Sequence, residues 1–173
     1  MERCVAAIKD CASRRLKLND GKTEVIWLGT RPRLQHLAGV DLNLSVGGDI
    51  IKPSTVVRDL GVFVDAELTF REHVRRITSS CSFQLRRLRQ IRKHVNRQVM
   101  KQLVHAFVIS RLDYCNSILA GLPKGLISKL QRVQNSAARL VLGLQPRDHI
   151  NTYSIFTSAA ARFRLAAAAE FGG

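Results

Sequence analysis

The hydrophobic pattern of the chain changes from a strand-like to a helix-like repeat near residue 69. Before this point, short apolar runs are separated by turn signals such as Asp20-Gly21 and Gly47-Gly48, which favour β-hairpins. After it, apolar residues recur every three or four positions, as they do along one face of an α-helix. The pattern therefore predicts an α+β fold in which a small antiparallel β-sheet with one helix precedes a helical bundle.

Residues 1–68 are predicted to contain the sheet and its helix. The helix covers residues 2–14, where an apolar stripe recurs at helical spacing. The predicted strands span 16–28, 42–52 and 56–64. The run 22–28 has apolar residues on both faces, which is typical of a strand buried between two layers. A proline and a glycine break the pattern over 30–41, which favours a loop there.

Residues 69–150 are predicted to form three helices. The first opens at Thr69–Glu72, which has the pattern of a capping box. Its apolar stripe consists of Phe70, Val74, Ile77, Cys81, Leu85, Leu88 and Ile91. Asn96 is the predicted cap of a second helix, which runs to about residue 115, and a third helix runs from Pro123 to Gly143.

The positive charge of the chain is concentrated in the predicted helices. The net charge is +15, of which residues 1–70 contribute +1 and residues 71–173 contribute +14. Residues 71–101 contain ten lysines and arginines and a single acid, Glu72. A solvated helix face normally mixes signs, because like charges three or four residues apart repel each other. The sequence therefore predicts contact with a polyanion, and a plain solvated basic face is the alternative.

Arginine predominates among these basic residues, which suits bidentate contact with phosphate groups. Aromatic residues are few among them, and this favours contact with a nucleic-acid backbone over stacking on bases. The predicted nucleic-acid-binding residues are Arg75, Arg76, Arg86, Arg87, Arg89, Arg92, Lys93 and Arg97.

No motif in the sequence predicts an active site that is complete within this chain. The four cysteines and five histidines show no zinc-binding spacing and no nucleophile–base pattern. Asp59 and Asp65 are predicted to lie too far apart along one strand to share two metal ions. No apolar run reaches the roughly 18 residues of a membrane span, so we expect no membrane partner. The four cysteines do not form a disulfide framework and the N-terminus lacks the apolar stretch of a signal peptide, so we expect an intracellular location.

Four segments, in order, resemble the reverse transcriptases of non-LTR (LINE-type) retrotransposons. The resemblance extends over about residues 2–150, and the Ala-rich tail 151–173 lies outside it. The four segments are LKLNDGKTEVIWLG at 16–29, VRDLGVFVD at 57–65, SRLDYCNS at 110–117 and LQRVQNSAAR at 130–139. They are similar to the family patterns LKLNxxKTExxxxG, VRxLGVxxD, SRLDYCNS and LQRVQNxAAR.

The resemblance implies that residues 1–68 are the end of a polymerase palm and that residues 69–150 are a thumb. A thumb holds the template–primer duplex by its phosphates. Lys22 matches a palm lysine that is proposed to protonate the pyrophosphate leaving group of an RNA-directed DNA polymerase. Leu60 and Gly61 match the primer grip, where a glycine lets the backbone approach the primer strand closely.

The resemblance also implies which parts of the polymerase are missing. The metal-binding aspartates of the family lie in an [FY]ADD turn that precedes the matched segments, and the sequence contains no such turn. We therefore expect no metal site and no cofactor in this chain, although Mg²⁺ is implied for the full-length enzyme. The chain is expected to be inactive alone, with the missing polymerase segments as possible partners. The alternative is a freestanding basic helical module that binds nucleic acid or a protein.

Overall fold

The computed structural model describes residues 22–148, apart from 38, 47–48, 115 and 146, together with residues 4, 7 and 10. Residues 4, 7 and 10 are helical. The rest of the predicted 2–14 helix, the turns at Asp20-Gly21 and Gly47-Gly48, and the tail lie outside the described residues. The chain divides into two compact units, Met1–Thr69 and Phe70–Gly173. No helix within the described ranges is both long and apolar enough to cross a bilayer.

The fold is α+β, and the first unit holds its β-strands. Its described elements are α1 (Arg31–His36), β1 (Leu44–Val46), β2 (Asp49–Ile51), β3 (Val56–Asp59) and β4 (Val62–Asp65). Strands β1 and β2 form one antiparallel pair and β3 and β4 form another. The described strands therefore make two small sheets instead of the single sheet expected. Helix α1 replaces part of the predicted loop, and Pro32 suits its first turn.

Residues 22–28 do not form the predicted buried strand. Val25 makes an isolated parallel bridge to Pro53, and its carbonyl accepts a hydrogen bond from Ser54 N–H at 2.8 Å. This bridge cannot extend into a ladder through Pro53, because proline has no backbone N–H. The half-buried Trp27 instead uses its indole N–H, which donates to the carbonyl of Leu42 at 3.3 Å.

A turn at Leu60-Gly61 divides the segment that was predicted as one strand over 56–64. Asp59 is paired with Val62, so Leu60 and Gly61 are the two central residues of a tight hairpin turn. Their φ angles are +44° and +87°, as a type I′ turn requires. Gly61 adopts a positive φ without steric cost, whereas Leu60 is held in a conformation that bulky residues rarely adopt.

The second unit is helical. Its helices are α2 (Arg71–Ile91), α3 (Arg97–Val104), α4 (Ser110–Asp113) and α5 (Lys124–Leu142). A 3-10 turn, Arg92–His94, follows α2, and another, Asn116–Leu119, precedes α5. The predicted second helix is divided, because a π-helical segment, His105–Ile109, connects α3 to α4. Within this segment the carbonyl of Val108 accepts a hydrogen bond from the buried Cys81 thiol at 3.7 Å, which ties the π-helical segment to α2.

Helix α2 packs against α5 through the apolar stripes that the sequence predicts. Val74, Cys81, Leu85 and Leu88 of α2 are buried, and so are Leu126, Leu130, Val133, Ala137 and Val141 of α5. Met100 and Val104 of α3 are fully buried in the same core. The two ends of the α2 stripe depart from the prediction, because Phe70 is only half-buried and Ile91 is exposed.

Two of the predicted helix ends are confirmed. The side-chain oxygen of Asn96 accepts a hydrogen bond from Val99 N–H at 2.8 Å, which caps α3. Gly143 follows α5 in the left-handed conformation, with φ +72°. Leu144 N–H then donates to the carbonyl of Arg139 at 3.0 Å, the closing bond of a Schellman motif.

The predicted capping box at the start of α2 is wrong. The hydroxyl and the backbone N–H of Thr69 both donate to Asp65 Oδ1, at 3.1 and 2.8 Å. Phe70 occupies the cap position, with φ +53° and no side-chain cap. Glu72 binds arginines one turn later instead of reaching back. The Thr69 N–H and the Glu72 carboxylate, which the predicted box would join, therefore each have another partner.

We predict that Leu85→Ala lowers the free energy of unfolding of the second unit by about 2–5 kcal/mol, because Leu85 is 3% exposed between α2 and α5. The matched control is the neighbouring exposed residue, for which Arg86→Ala is expected to cost less than about 0.5 kcal/mol. Urea unfolding monitored by helical circular dichroism measures both. Equal losses would contradict the assignment of the buried stripe.

The buried His73 gives a pH prediction. It is 1% exposed, and burial lowers the pKa of its imidazole from the ordinary 6.5, because the charged form is poorly solvated there. The unfolded chain therefore binds the proton more tightly, so stability is fully present above about pH 6.5 and falls as the pH drops towards the folded pKa. Melting temperatures across this range should show a smaller loss for His73→Gln than for the exposed control His94→Gln. An equal loss in both variants would rule out His73 as the cause.

Candidate nucleic-acid interface

Three cations form a row on the solvent side of α2 and the turn after it. Arg86, Arg89 and Lys93 are spaced by three and four residues, which places them in line on one side, about 10 Å from end to end. All three are exposed and lie beside the buried stripe, with Arg89 at its margin, four residues after Leu85. None of their side chains forms a hydrogen bond or an ion pair with another described residue. We call Arg86, Arg89 and Lys93 the basic row.

Two of the predicted contacts, Arg75 and Arg76, share Glu72, which is the only acidic residue of α2. Arg75 donates two hydrogen bonds to the carboxylate of Glu72, both at 2.7 Å, and Arg76 donates a third. These hydrogen bonds lower the pKa of Glu72 to about 2, so the carboxylate is ionised at neutral pH. The two arginines remain more than half exposed, but their local charge is partly neutralised.

Arg87 is paired with an aromatic ring that the sequence reasoning missed. Its guanidinium carbon lies 5.8 Å from the centroid of the half-exposed Phe83 ring, a cation–π distance. A ring contact leaves the N–H groups in the plane of the guanidinium able to donate to a ligand. Phe83 and Arg87 are four residues apart on a predicted helix, a spacing that places their side chains next to each other, so the pair could have been identified from the sequence.

Arg92 has a different environment from the other predicted contacts. Its side chain is half-buried, and its Nε donates to the carbonyl of Leu140 at 2.9 Å. Longer hydrogen bonds of 3.4 Å reach the carbonyls of Val141 and Val95. The last carbonyls of a helix lack intrahelical partners and carry partial negative charge. Arg92 therefore caps the C-terminus of α5 and ties it to the end of α2.

The other predicted site residues are exposed or lie in turns. Lys22 is exposed, and so is Arg97 at the start of α3. Leu60 is 83% exposed at the tip of the β3–β4 hairpin, next to Gly61. Lys22, Leu60 and Gly61 belong to the first unit, whereas the predicted phosphate contacts all belong to the second.

The described residues do not bring together metal ligands or an activated nucleophile. No group of three His, Cys, Asp or Glu side chains among them could hold a metal ion. Asp59 and Asp65 lie at opposite ends of the β3–β4 hairpin. Burial raises the pKa of the Cys81 thiol to about 11, so at neutral pH it is a protonated core side chain.

Comparison of the chain with protein-family models, curated proteins and solved structures finds no match in any of the three. Inference about function therefore depends on the charge and geometry of the described residues. The basic row and the adjacent Arg87 form an exposed cationic surface on α2 and the turn after it.

We predict that Arg92 contributes to folding and Arg89 does not. Arg92→Gln should lower the free energy of unfolding by about 1.5–3 kcal/mol, because it removes charged hydrogen bonds to half-buried carbonyls. Arg89→Gln, three residues earlier and exposed, should cost less than about 0.5 kcal/mol. Urea unfolding of the two variants checks this, and an Arg92 variant as stable as the Arg89 variant would contradict the capping role.

Proposed function

We propose that the second unit binds the phosphate backbone of a nucleic-acid duplex, the role that the thumb has in the non-LTR reverse transcriptases that the sequence resembles. The observation that carries the proposal is the basic row. Three exposed cations lie within about 10 Å on α2 and the turn after it. The sequence has no acidic residue between Glu72 and Asp113. Such a surface attracts polyanions and is unfavourable without them, because its charges repel one another.

The spacing of the row supports a phosphate ligand. The rise of an α-helix separates successive cations of the row by about 4.5–6 Å along the helix axis. A nucleic-acid strand carries one phosphate for every 3.4 Å or so of duplex axis, so neighbouring phosphates can meet successive side chains of the row. Two of the three cations are arginines, and Arg87 beside them adds a third guanidinium that can bind phosphate oxygens in bidentate fashion.

The row is suited to binding without sequence preference. Contacts to phosphates do not distinguish one base from another. Stacking on bases needs aromatic side chains, and Phe83 is the one Phe, Tyr or Trp of α2. We therefore propose that the duplex is held by its backbone, with affinity supplied largely by release of counterions. A double-stranded template–primer is a ligand of this kind.

For the first unit, we propose that the Leu60-Gly61 turn contacts the primer strand. Leu60 combines 83% exposure with a left-handed backbone, a strained arrangement of the kind that accumulates at functional sites. For Lys22 the resemblance gives a role at the leaving phosphate, for which an exposed ammonium group is chemically suited. Duplex binding by the second unit depends on neither of these roles.

We predict that duplex binding weakens steeply with salt and that the basic side of α2 accounts for the steepness. Each neutralised phosphate contributes roughly −0.9 to the slope of log K against log salt. Replacing Arg86, Arg87 and Arg89 together with glutamine should therefore flatten the slope by up to about three units. Fluorescence anisotropy with a labelled DNA or RNA–DNA duplex, at several salt concentrations, measures the slope.

The control is the triple variant with Lys124, Lys129 and Arg132 replaced by glutamine. It removes the same charge from exposed positions on α5, so the net charge of the two variants is identical. We expect a much smaller change of slope in this control. Equal changes would show that only net charge matters, and a slope near zero in the unaltered protein would favour a protein partner over nucleic acid.

A further inference from the structure

A second group of arginines surrounds a cavity at the C-terminal end of α5. The cavity has a volume of about 420 Å³ and lies between the end of α2 and the loop that follows α5. Arg89, Arg92 and Arg139 line it, together with Gln145. No acidic side chain belongs to the lining within the described part of the chain. The carboxylate of Asp148 accepts a hydrogen bond from the backbone N–H of the lining residue Gln145 at 2.7 Å, and an external anion would offset the positive charge that remains.

Arg139 has hydrogen-bonding capacity that the folded chain leaves unused. Its Nε is buried and makes no hydrogen bond with any residue that the structure describes. One terminal nitrogen donates to the carbonyl of Asp148 at 3.2 Å. A buried N–H without an acceptor is unfavourable, so a ligand oxygen that came within hydrogen-bond distance of it would remove part of that cost.

The other two arginines of the cavity, Arg89 and Arg92, can donate hydrogen bonds to the same ligand. Arg92 uses three of its five N–H donors on the carbonyls of Leu140, Val141 and Val95, which leaves two. Its charge already compensates the partial negative charge of the helix end, so that end does not repel an anion strongly. Arg89 belongs to the basic row, is exposed, and has all its donors available at the cavity rim.

We infer that this cavity binds the phosphate group of a nucleotide. A phosphate has enough acceptor oxygens to meet the forks of several arginines at once. A single phosphate ion would fill only part of 420 Å³, a volume that lies within the range of pockets for small organic ligands. Leu140 and Leu144 supply an apolar wall, against which the sugar or base attached to the phosphate would pack.

The nucleotide has two possible sources, a free mononucleotide and the terminal nucleotide of a strand. The shared chemistry is a terminal phosphate, which carries more negative charge than a backbone phosphodiester. This site goes beyond the duplex binding proposed above, because a mononucleotide can occupy it without any contact to Arg86, Arg87 or Lys93. Arg139 lies far from those residues in sequence, on α5.

The test is a titration of the full chain with adenosine 5′-monophosphate and, separately, with adenosine. We expect the monophosphate to shift the backbone amide resonances of Gly143, Leu144 and Gln145, and adenosine to bind at least about tenfold more weakly. Equal binding of the two compounds, or shifts that leave these amides unmoved, would overturn the site. This measurement uses the unaltered protein, so it does not depend on the folding of any variant.

Variants then separate this site from the basic side of α2. Arg139→Gln should weaken binding of the monophosphate at least about tenfold, and Arg139→Lys should weaken it less, because lysine keeps the charge without the fork. The double variant Arg86→Gln, Arg87→Gln should bind the monophosphate unchanged while it loses duplex affinity. Loss of monophosphate binding in the double variant but not in Arg139→Gln would overturn the assignment.

Addition of a 5′-phosphate to a duplex distinguishes the two sources. A phosphorylated duplex that binds more tightly than its hydroxyl-ended counterpart, with the gain abolished by Arg139→Gln, identifies a strand end as the ligand. Equal binding of the two duplexes, with the monophosphate still bound, identifies a free nucleotide. Failure of the monophosphate to bind, with duplex binding intact, would remove the cavity site and leave the proposed function standing.

Discussion

The apolar contact between α2 and α5 is the interaction on which the rest of the second unit depends. Buried residues such as Leu85 and Leu88 of α2, and Leu130 and Val141 of α5, fix which side of each helix faces inward. This burial leaves the remaining positions of α2 nearer to solvent, and six of those positions are arginines, whereas Glu72 is the single acid. Like charges at helical spacing destabilise a helix by a few tenths of a kcal/mol per pair, whereas a buried leucine stabilises it by about 1.5–3 kcal/mol. The core can therefore maintain a surface that electrostatics alone would oppose.

The arginines of α2 and its C-terminal turn differ in role because their surroundings differ. Arg75 is bound to Glu72, Arg87 lies over Phe83, and Arg92 reaches the carbonyls that end α5. Arg86 and Arg89 remain available in the basic row. The charge that the sequence distributes along one helix is thus divided between folding and a surface that can bind an external anion. The proposed phosphate-binding role belongs to the basic row and to Arg87, whose ring contact leaves its N–H groups able to donate.

Much of the second unit could be predicted from the sequence, because local rules and burial agree there. Three features of this unit each depend on residues within a few positions of one another. They are the apolar stripe of α5, the Asn96 cap of α3 and the end of α5 at Gly143. Contacts with distant or competing partners could not be predicted in this way. Thr69 bonds to Asp65 instead of closing a capping box, and nothing near Arg92 in sequence indicates carbonyls almost fifty residues away.

The first unit was harder to predict for the same reason. The run 22–28 has the composition of a strand, but its bridge partner is Pro53, which cannot continue a ladder. The glycine of Leu60-Gly61 was visible in the sequence, yet its effect depended on whether the flanking residues paired with each other, as Asp59 and Val62 do. The cavity with Arg139 could not be predicted at all, since its arginines lie on separate helices that only the packing of α2 on α5 brings together.

The central claim is that the basic row meets nucleic-acid phosphates. The most direct measurement is a nuclear magnetic resonance titration of the full chain with a short duplex, in which the side-chain Nε–Hε resonances of arginine are followed. The account predicts that Arg86 and Arg89 shift early and saturate together, while Arg132 on the exposed side of α5 does not shift. Uniform small shifts of all exposed arginines, or shifts at Arg132 without those at Arg86 and Arg89, would contradict it.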